Sequence, residues 1–268
     1  EGADYQNITH SQGDRMTLTQ RKRGRSYTVT EALLDGTKYR EIETGMRNLG
    51  EILFRTRARD VSHQRLRFGF SAPYVDSEGT TRPNGIANQT TEPIFDDTHT
   101  MASGTTYDNE LADTALGEVA LRNLHDLTTA FIDEDGFRVP WGATGEKILV
   151  TGSDIPINHV AQRLTSQEWQ MDSAQRNVNI FRGQFRHLPI FFVETDAEGI
   201  PDTTSAKYYW ILDPTYMKRF AIFGDLMKPK LSGPFEDDFN GGLLWRAKTR
   251  YDFGVQAAHI GAGSAATT

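Results

Sequence analysis

Cysteine is absent from the 268 residues. That excludes disulfides, iron–sulfur clusters and cysteine-ligated zinc sites together, so stability has to come from packing and from contacts between chains. Long apolar runs are absent as well. The longest, such as 188–193, fall far short of the ~20 residues that a bilayer-spanning helix needs. No signal-peptide pattern opens the chain, and a soluble protein with no membrane partner is expected. Net basic charge is also missing: 29 Lys and Arg stand against 36 Asp and Glu, a formal charge of −7. A chain whose main task is to wrap nucleic acid would be basic overall, which leaves only local basic patches for such contact. The hydrophobic share of 37% is enough to bury a core, as one large domain or two modest ones. The chain opens on Glu1 rather than Met; loss of a leader and proteolytic maturation of a longer precursor both fit.

Catalytic motifs are equally scarce. The seven histidines (His10, His63, His99, His125, His159, His187 and His259) include no two within four residues of each other. No metal-binding pair therefore shares a helix turn, and structural or solvated roles are expected. The acidic runs Asp96-Asp97, Asp133-Glu134-Asp135 and Glu236-Asp237-Asp238 could each hold a hard cation. None has the spacing of a calcium-binding loop, and solvated turns are the expectation. Gly69-Phe70-Ser71-Ala72-Pro73 lacks the second glycine of a nucleophile elbow. Gly261-Ala262-Gly263 sits in a small-residue tail rather than between a strand and a helix, so it is not a dinucleotide loop. Tyr208-Tyr209-Trp210 reads as a buried strand in preference to a base-stacking platform. No catalytic residue, cofactor or metal is expected.

What is there is organisation. Residues 1–30 are polar and aperiodic, with a basic cluster at Arg21, Lys22, Arg23 and Arg25. They read as an arm that binds a neighbour because it cannot bury its own surface. Thr30 can cap a helical segment over 31–54, interrupted by Gly36 and Gly45. Residues 55–105 alternate short strand-like pieces with turn signals, and read as an extended hairpin followed by irregular chain. Leu116, Val119, Ala120, Leu124, Leu127 and Phe131 then repeat at helical spacing. They predict a helix from about residue 108 to 132, over ~30 Å long, within a unit spanning 106–145. From 146 to 235 the pattern is mixed: a strand at 147–151, a helix opened by Asp154 and Pro156, and strands at 188–195, 208–212 and 220–223. The cleanest alternation closes the chain within 236–260, with Leu243, Trp245, Ala247, Thr249, Tyr251, Phe253 and Val255 on one face. Residues 261–268 read as a loose tail.

Three stretches carry a resemblance. The run from Glu92 to Asn109, with Phe95, His99, Thr100, Tyr107 and Asn109, resembles the segment before the spine helix in the Mu-like branch of tailed-phage major head subunits. The strand–helix unit of 147–164 resembles the start of that fold's A-domain, and Gly233-Pro234-Phe235 with 245–254 resembles its return strand. Together with the order of elements, they resemble the Hong Kong 97-like fold of tailed-bacteriophage major capsid proteins over roughly 30–260. The resemblance implies an α+β fold with an N-arm, an E-loop hairpin, a P-domain with a long spine helix, and an α/β A-domain. It implies a structural protein of the virion, assembled in the host cytoplasm as hexamers and pentamers of an icosahedral shell. The implied partners are packaged double-stranded DNA, touched without sequence preference, and portal, scaffold, maturation protease and decoration proteins. Some relatives weld their shells through an E-loop lysine; no lysine lies between Lys38 and Lys147, so no such cross-link is expected.

On this reading Arg47, Arg55, Arg57, Arg59, Arg65 and Arg67 are candidates for subunit contacts, because guanidinium pairs with carboxylates at interfaces better than ammonium does. Arg21, Lys22, Arg23 and Arg25 would face DNA or an acidic neighbour. Two rivals stand beside it: an encapsulin-type compartment shell, and a hydrolase whose acidic site would be Glu236, Asp237 and Asp238.

Overall fold

The computed structural model describes residues 15–36, 39–101, 103–143, 145–169, 177–196, 198–237 and 242–267. In chain order the elements are β1 (Arg21–Val29), α1 (Glu31–Asp35), α2 (Tyr39–Val61), β2 (Pro73–Val75), β3 (Thr81–Pro83), β4 (His99–Thr100), β5 (Thr106–Tyr107), β6 (Glu110–Leu111) and α3 (Glu118–Thr129). There follow β7 (Lys147–Thr151), α4 (Ile155–Ser166), β8 (Phe185–Pro189), β9 (Tyr209–Leu212), α5 (Pro214–Phe220), β10 (Ala221–Asp237), β11 (Gly242–Val255) and β12 (Gly261–Ser264).

Five strands form the body in the order β6-β12-β9-β7-β8. Period-two alternation along its central strands fills a core on each face. Leu149, Tyr209 and Ile211 point to one side, where Leu121 and Leu124 of α3 and Ile157, Ala161 and Leu164 of α4 cover them. Val150, Trp210 and Leu212 point to the other, against Leu66, Ile94, Phe95 and Val193. The strand at 147–151 and the helix behind Asp154 form where the sequence puts them, and α4 makes the crossover to the parallel partner β8.

β12 runs between β9 and β6, and every residue of it is buried. The expected loose tail is therefore a core strand. Its small residues are there for close approach: a Cβ on Gly261 would fall 2.0 Å from the Ile211 carbonyl oxygen, and one on Gly263 2.4 Å from Trp210 Cδ1. The expected long helix at 108–132 is also corrected. α3 has 12 residues, and its N-terminal neighbour Gly117 is fully extended. Upstream, Asn109 is held by the sheet instead: its amide donates to the Ile94, Ala258 and Gly261 carbonyls, and its backbone is committed to β12 pairing. The strand expected at 188–195 lies upstream, at Phe185–Pro189. β8 stops at Pro189 on the sheet edge, and Phe191–Glu194 is a 3-10 turn.

The long helix is α2, with 23 residues, continued by a π-helical turn at Ser62–Arg67. The chain breaks at Gly36 as expected, but Gly45 stays inside the helix. It is there because a Cβ would lie 2.4 Å from the Tyr27 ring. Among the described residues the extended hairpin expected at 55–105 does not form: 55–67 is helical, and the strand pairs that follow are the short β2–β3 and β4–β5. The projecting hairpin lies elsewhere, at β10–β11, so the boundary drawn at 235 falls inside a strand.

Candidate assembly surface

β10 and β11 pair with β1 into a three-stranded sheet, β1-β11-β10. The residues read as part of a loose arm from 21 to 29 are thus ordered by pairing with β11, from Arg21 opposite Tyr251 to Val29 opposite Leu243. Residues 1–14 lie outside the described residues.

The register gives the sheet two unlike faces. On one, Arg21, Arg23, Arg25 and Tyr27 stand opposite Tyr251, Thr249, Ala247 and Trp245. α2 covers this face: Leu49 and Leu53 pack on Ala247, beside Tyr27 and Trp245. Around that small apolar contact the docking is polar. Asp60 accepts from the Tyr251 hydroxyl at 2.7 Å and pairs with Arg23 at 3.3 Å and Arg59 at 3.2 Å. Burial, then the Asp60 carboxylate, pushes the Tyr251 phenol above its ordinary range. Arg57 donates to Asp225 at 3.0 Å with its guanidinium 4.7 Å from the Phe223 ring centre.

The six arginines from 47 to 67 consequently divide. Arg47 and Arg55 stay exposed and pair along the helix with Glu43 and Glu51, each at 2.7 Å. Arg57 and Arg59 strut α2 against β10 and the Glu198 carbonyl. Arg65 is buried, donating to Asn84, Asn88 and the Phe253 carbonyl, and burial holds it down to about 10. Arg67 reaches Asp202 and the Thr195 carbonyl. All six lie on helical turns rather than on an extended strap.

The basic cluster of β1 divides in two. Arg21 and Arg23 turn toward Asp76, Asp60 and Glu78 of the same chain. Lys22 and Arg25 are exposed. Lys22 lies opposite Arg250, Gly24 opposite Lys248 and Ser26 opposite Arg246 on the face that α2 does not cover. Lys22, Arg25, Arg246 and Lys248 line a groove of about 640 Å³ along the β1–β11 pair, with Arg25 reaching it from the position opposite Ala247. On the β10 side, Lys230 is opposite Lys248, and Arg246 lies over the exposed Phe235 ring. None of these cations makes a salt bridge among the described residues. Sequence reading missed this face because Lys22 and 246–250 are far apart along the chain, and only the register joins them.

Outside this sheet the polar groups do structural work. His99 sits between the Glu92 carboxylate at 2.8 Å and Asn109 Oδ1 at 2.9 Å, fully buried. His63 contacts the Tyr74 hydroxyl at 3.0 Å, and His259 Nε2 contacts the Ile132 carbonyl at 2.6 Å. Among the described residues no group of three or more His, Asp or Glu is placed to hold a metal ion, and no helix is long and apolar enough to cross a membrane. Glu236 is exposed at the end of β10, while Asp238 lies outside the described residues.

No known family model matches the chain, and no curated protein matches its sequence. Solved structures do match. A chain of Gordonia phage Cozz superposes with a TM-score of 0.53 at 10% identity, over 98% of this chain and 78% of that one. The capsid of the native GTA particle gives 0.51 at 14% identity, over 98% and 80%. The capsid of Cyanophage P-SCSP1u gives 0.50 at 9%, over 97% and 80%. This chain has the fold of phage capsid subunits. The likeness takes in both the body and the outlying sheet, since nearly the whole chain is covered.

Proposed function

We propose that this chain is the major capsid protein of a tailed bacteriophage, of the Hong Kong 97-like type, and that it self-assembles into the icosahedral shell around a double-stranded DNA genome. The single observation that carries the reading is structural likeness to phage capsid subunits over 98% of the chain. In this assignment α2, at ~1.5 Å per residue, is the spine helix. The β1-β11-β10 sheet on which it lies belongs to the same P-domain, and the five-stranded body is the A-domain. The function is assembly without a catalytic step: many modest contacts made at once hold a lattice that no single contact would hold.

Leu226, Leu231 and Phe235 leave an apolar edge on β10, 61%, 48% and 45% exposed, in a strand paired on one side only. An edge of this kind is a ready surface for another chain. Arg47 and Arg55, exposed on α2, remain candidates for carboxylate contacts between subunits. Hexamers and pentamers, a place in the virion, assembly in the host cytoplasm, and portal, scaffold, protease and decoration partners all belong to the same reading.

The test is direct. Purified chain, concentrated with and without crowding salt, is followed by sedimentation velocity and negative-stain electron microscopy. Closed shells or capsomer rings are expected. A compact monomer under every condition, or turnover of a substrate, removes the proposal.

A further inference from the structure

The acidic run at 133–135 is a built turn. Ile132 and Arg138 bridge antiparallel, and between them the Asp133 carboxylate accepts from the Asp135 amide at 3.1 Å and the Phe137 amide at 2.8 Å. Gly136, at φ +83°, closes the turn. Its base is anchored as well: Phe131 is fully buried, Arg138 donates to the Thr129 carbonyl, and His259 Nε2 contacts the Ile132 carbonyl. Asp133 is engaged inside the turn, so Glu134 and Asp135 are the exposed acids of its tip. Phe137 stands beside them at 71%, the most exposed large hydrophobic side chain among the described residues. A preformed tip of this kind has little ordering left to lose on binding.

The uncovered face of the β1-β11-β10 sheet has the complementary character. Arg246, Lys248 and Arg250 alternate along β11 and are therefore ~6.7 Å apart on one face. Lys22 lies opposite Arg250, and Lys230 opposite Lys248. Like charges facing each other across a strand pair destabilise it. The next carboxylate along this face, Asp252, is buried near Arg21 and Arg65. On β1 only Gly24 and Ser26 stand opposite Lys248 and Arg246, which opens the groove between the strands. Apolar surface adjoins the cations: exposed Met227 lies opposite Arg250, and exposed Phe235 opposite Leu244. A phosphate backbone would engage the cations and leave Phe235 and Met227 bare, whereas an acidic turn with an exposed ring meets both. In its own chain the tip is rooted at His259, beyond the Val255 end of β11, while Lys248 lies seven residues back from Val255, ~23 Å of strand. Tip and groove therefore belong to opposite ends of β11.

We propose that this groove receives the 133–137 hairpin tip of a second copy of this chain. Glu134 and Asp135 lie against Lys22, Lys230, Arg246 and Lys248, and Phe137 lies against the apolar surface beside Phe235. The contact is heterologous: one patch on each molecule meets a different patch on the next. Repetition of such a contact closes into a ring wherever the rotation allows it. Charge complementarity of this kind fixes register and partner as much as it adds affinity. This inference rests on the shell-forming reading above, and adds to it which surface meets which.

Five chains test it: wild type, K230E/K248E, E134K/D135K, the four-fold combination, and F137A. Each is assembled at low ionic strength and followed by sedimentation velocity and electron microscopy, with far-UV circular dichroism as a check of folding. Each reversed pair alone is expected to lower particle yield about ten-fold or more, because like charges then meet at the contact. The combination should regain the particles, because the charges are merely exchanged. F137A should lower the yield while the monomer's urea midpoint stays where it is. If the reversed chains assemble as well as wild type, the inference is overturned and the shell-forming reading stands. If both lose particles and the combination does not regain them, the two surfaces do not meet, and the inference is overturned in the same way. If a reversed chain misfolds, F137A decides: particle yield equal to wild type overturns the inference. Wild type that never self-associates overturns both. A short DNA duplex held by wild type but not by K230E/K248E, with assembly unchanged, makes the face a phosphate contact and likewise overturns the inference.

Discussion

Ile211 on β9 and Leu231 on β10 are both aliphatic residues in strands, yet the first is fully buried and the second 48% exposed. The difference is coverage. β9 sits in the middle of the body sheet with helices on one face and the 66–95 and 193 cluster on the other, so both sides of the strand reach apolar partners. β10 is an edge strand of a sheet that α2 covers on one face; on the other, Met16 and Leu18 approach only the Gly224 and Gly254 end, and Arg246 and Arg250 are exposed. The body is held by burial. The outlying sheet is held by a small apolar contact, a ring of ion pairs, and aromatic stacking of Phe223 on Tyr251 and Phe253. One region has its apolar strand residues covered and the other leaves them exposed.

The largest effect is expected where burial does the holding. Trp210→Ala removes a fully buried ring from the body and should cost about 3–5 kcal/mol in urea denaturation of the monomer. Leu231→Ala on the open sheet should stay within ~0.5 kcal/mol in the same assay, while particle yield falls. Equal costs at both sites would erase the contrast between the regions.

Asp60→Asn comes next. The carboxylate joins Arg23, Arg59 and the Tyr251 hydroxyl, so it ties α2, β1 and β11 at one point. Losing its charge leaves two guanidiniums poorly matched, at a cost of about 1–3 kcal/mol. The loss should appear as early hydrogen exchange in β1 and α2, with the body amides unchanged. Uniform loss of protection through the whole chain would mean that the two regions unfold as one.

A smaller, pH-dependent effect belongs to the body. Burial first, then Asp96, Asp97 and Asp108, pushes the Glu110 carboxyl from 4.5 up to about 7. The folded chain therefore holds a proton that the unfolded chain has released between those values, and stability falls as pH rises through that window. Burial and Arg67 hold His63 at about 4, below its ordinary 6.5, which acts in the opposite sense: its stability is present above 6.5 and is lost as pH falls toward 4. The His63 contribution is common to wild type and Glu110→Gln, so the difference in Tm between them isolates Glu110. The variant should gain on wild type steadily from pH 4.5 to 7; a constant difference would show that Glu110 titrates normally.

The same contrast explains what was legible in the sequence. Alternation along 243–255 announced β11, and Asp154-Ile155-Pro156 announced α4, because both patterns are local. β12 was illegible for the reverse reason. Gly261-Ala262-Gly263-Ser264 has no hydrophobic pattern because its neighbours Ile211 and Trp210 come too close to leave room for one. The helical spacing around residue 124 was real, but it extended too far upstream on paper, since nothing local revealed that Asn109 is claimed by carbonyls as distant as Ala258 and Gly261. Over 21–23, strand parity rather than composition decides which cation is exposed. Arg21 and Arg23 turn to carboxylates of their own chain, while Lys22, between them, faces out beside Arg250.

The smallest stability effect is expected on the outer side of α2. Arg47 and Arg55 have exposed side chains, and each pairs with a glutamate one turn earlier. Solvent screens such pairs, and removing one costs no more than ~0.5 kcal/mol in an isolated chain. Arg47→Ala and Arg55→Ala should therefore leave the monomer's denaturation midpoint almost unmoved. Particle formation is a separate readout, and it bears on these residues as subunit contacts. If the double variant forms shells at the wild-type rate, the outer side of α2 is a solvated helix surface and assembly depends on the hairpin sheet instead. If shells fail while the monomer keeps its stability, α2 presents a second contact, and the open region of the molecule extends across both sides of the sheet.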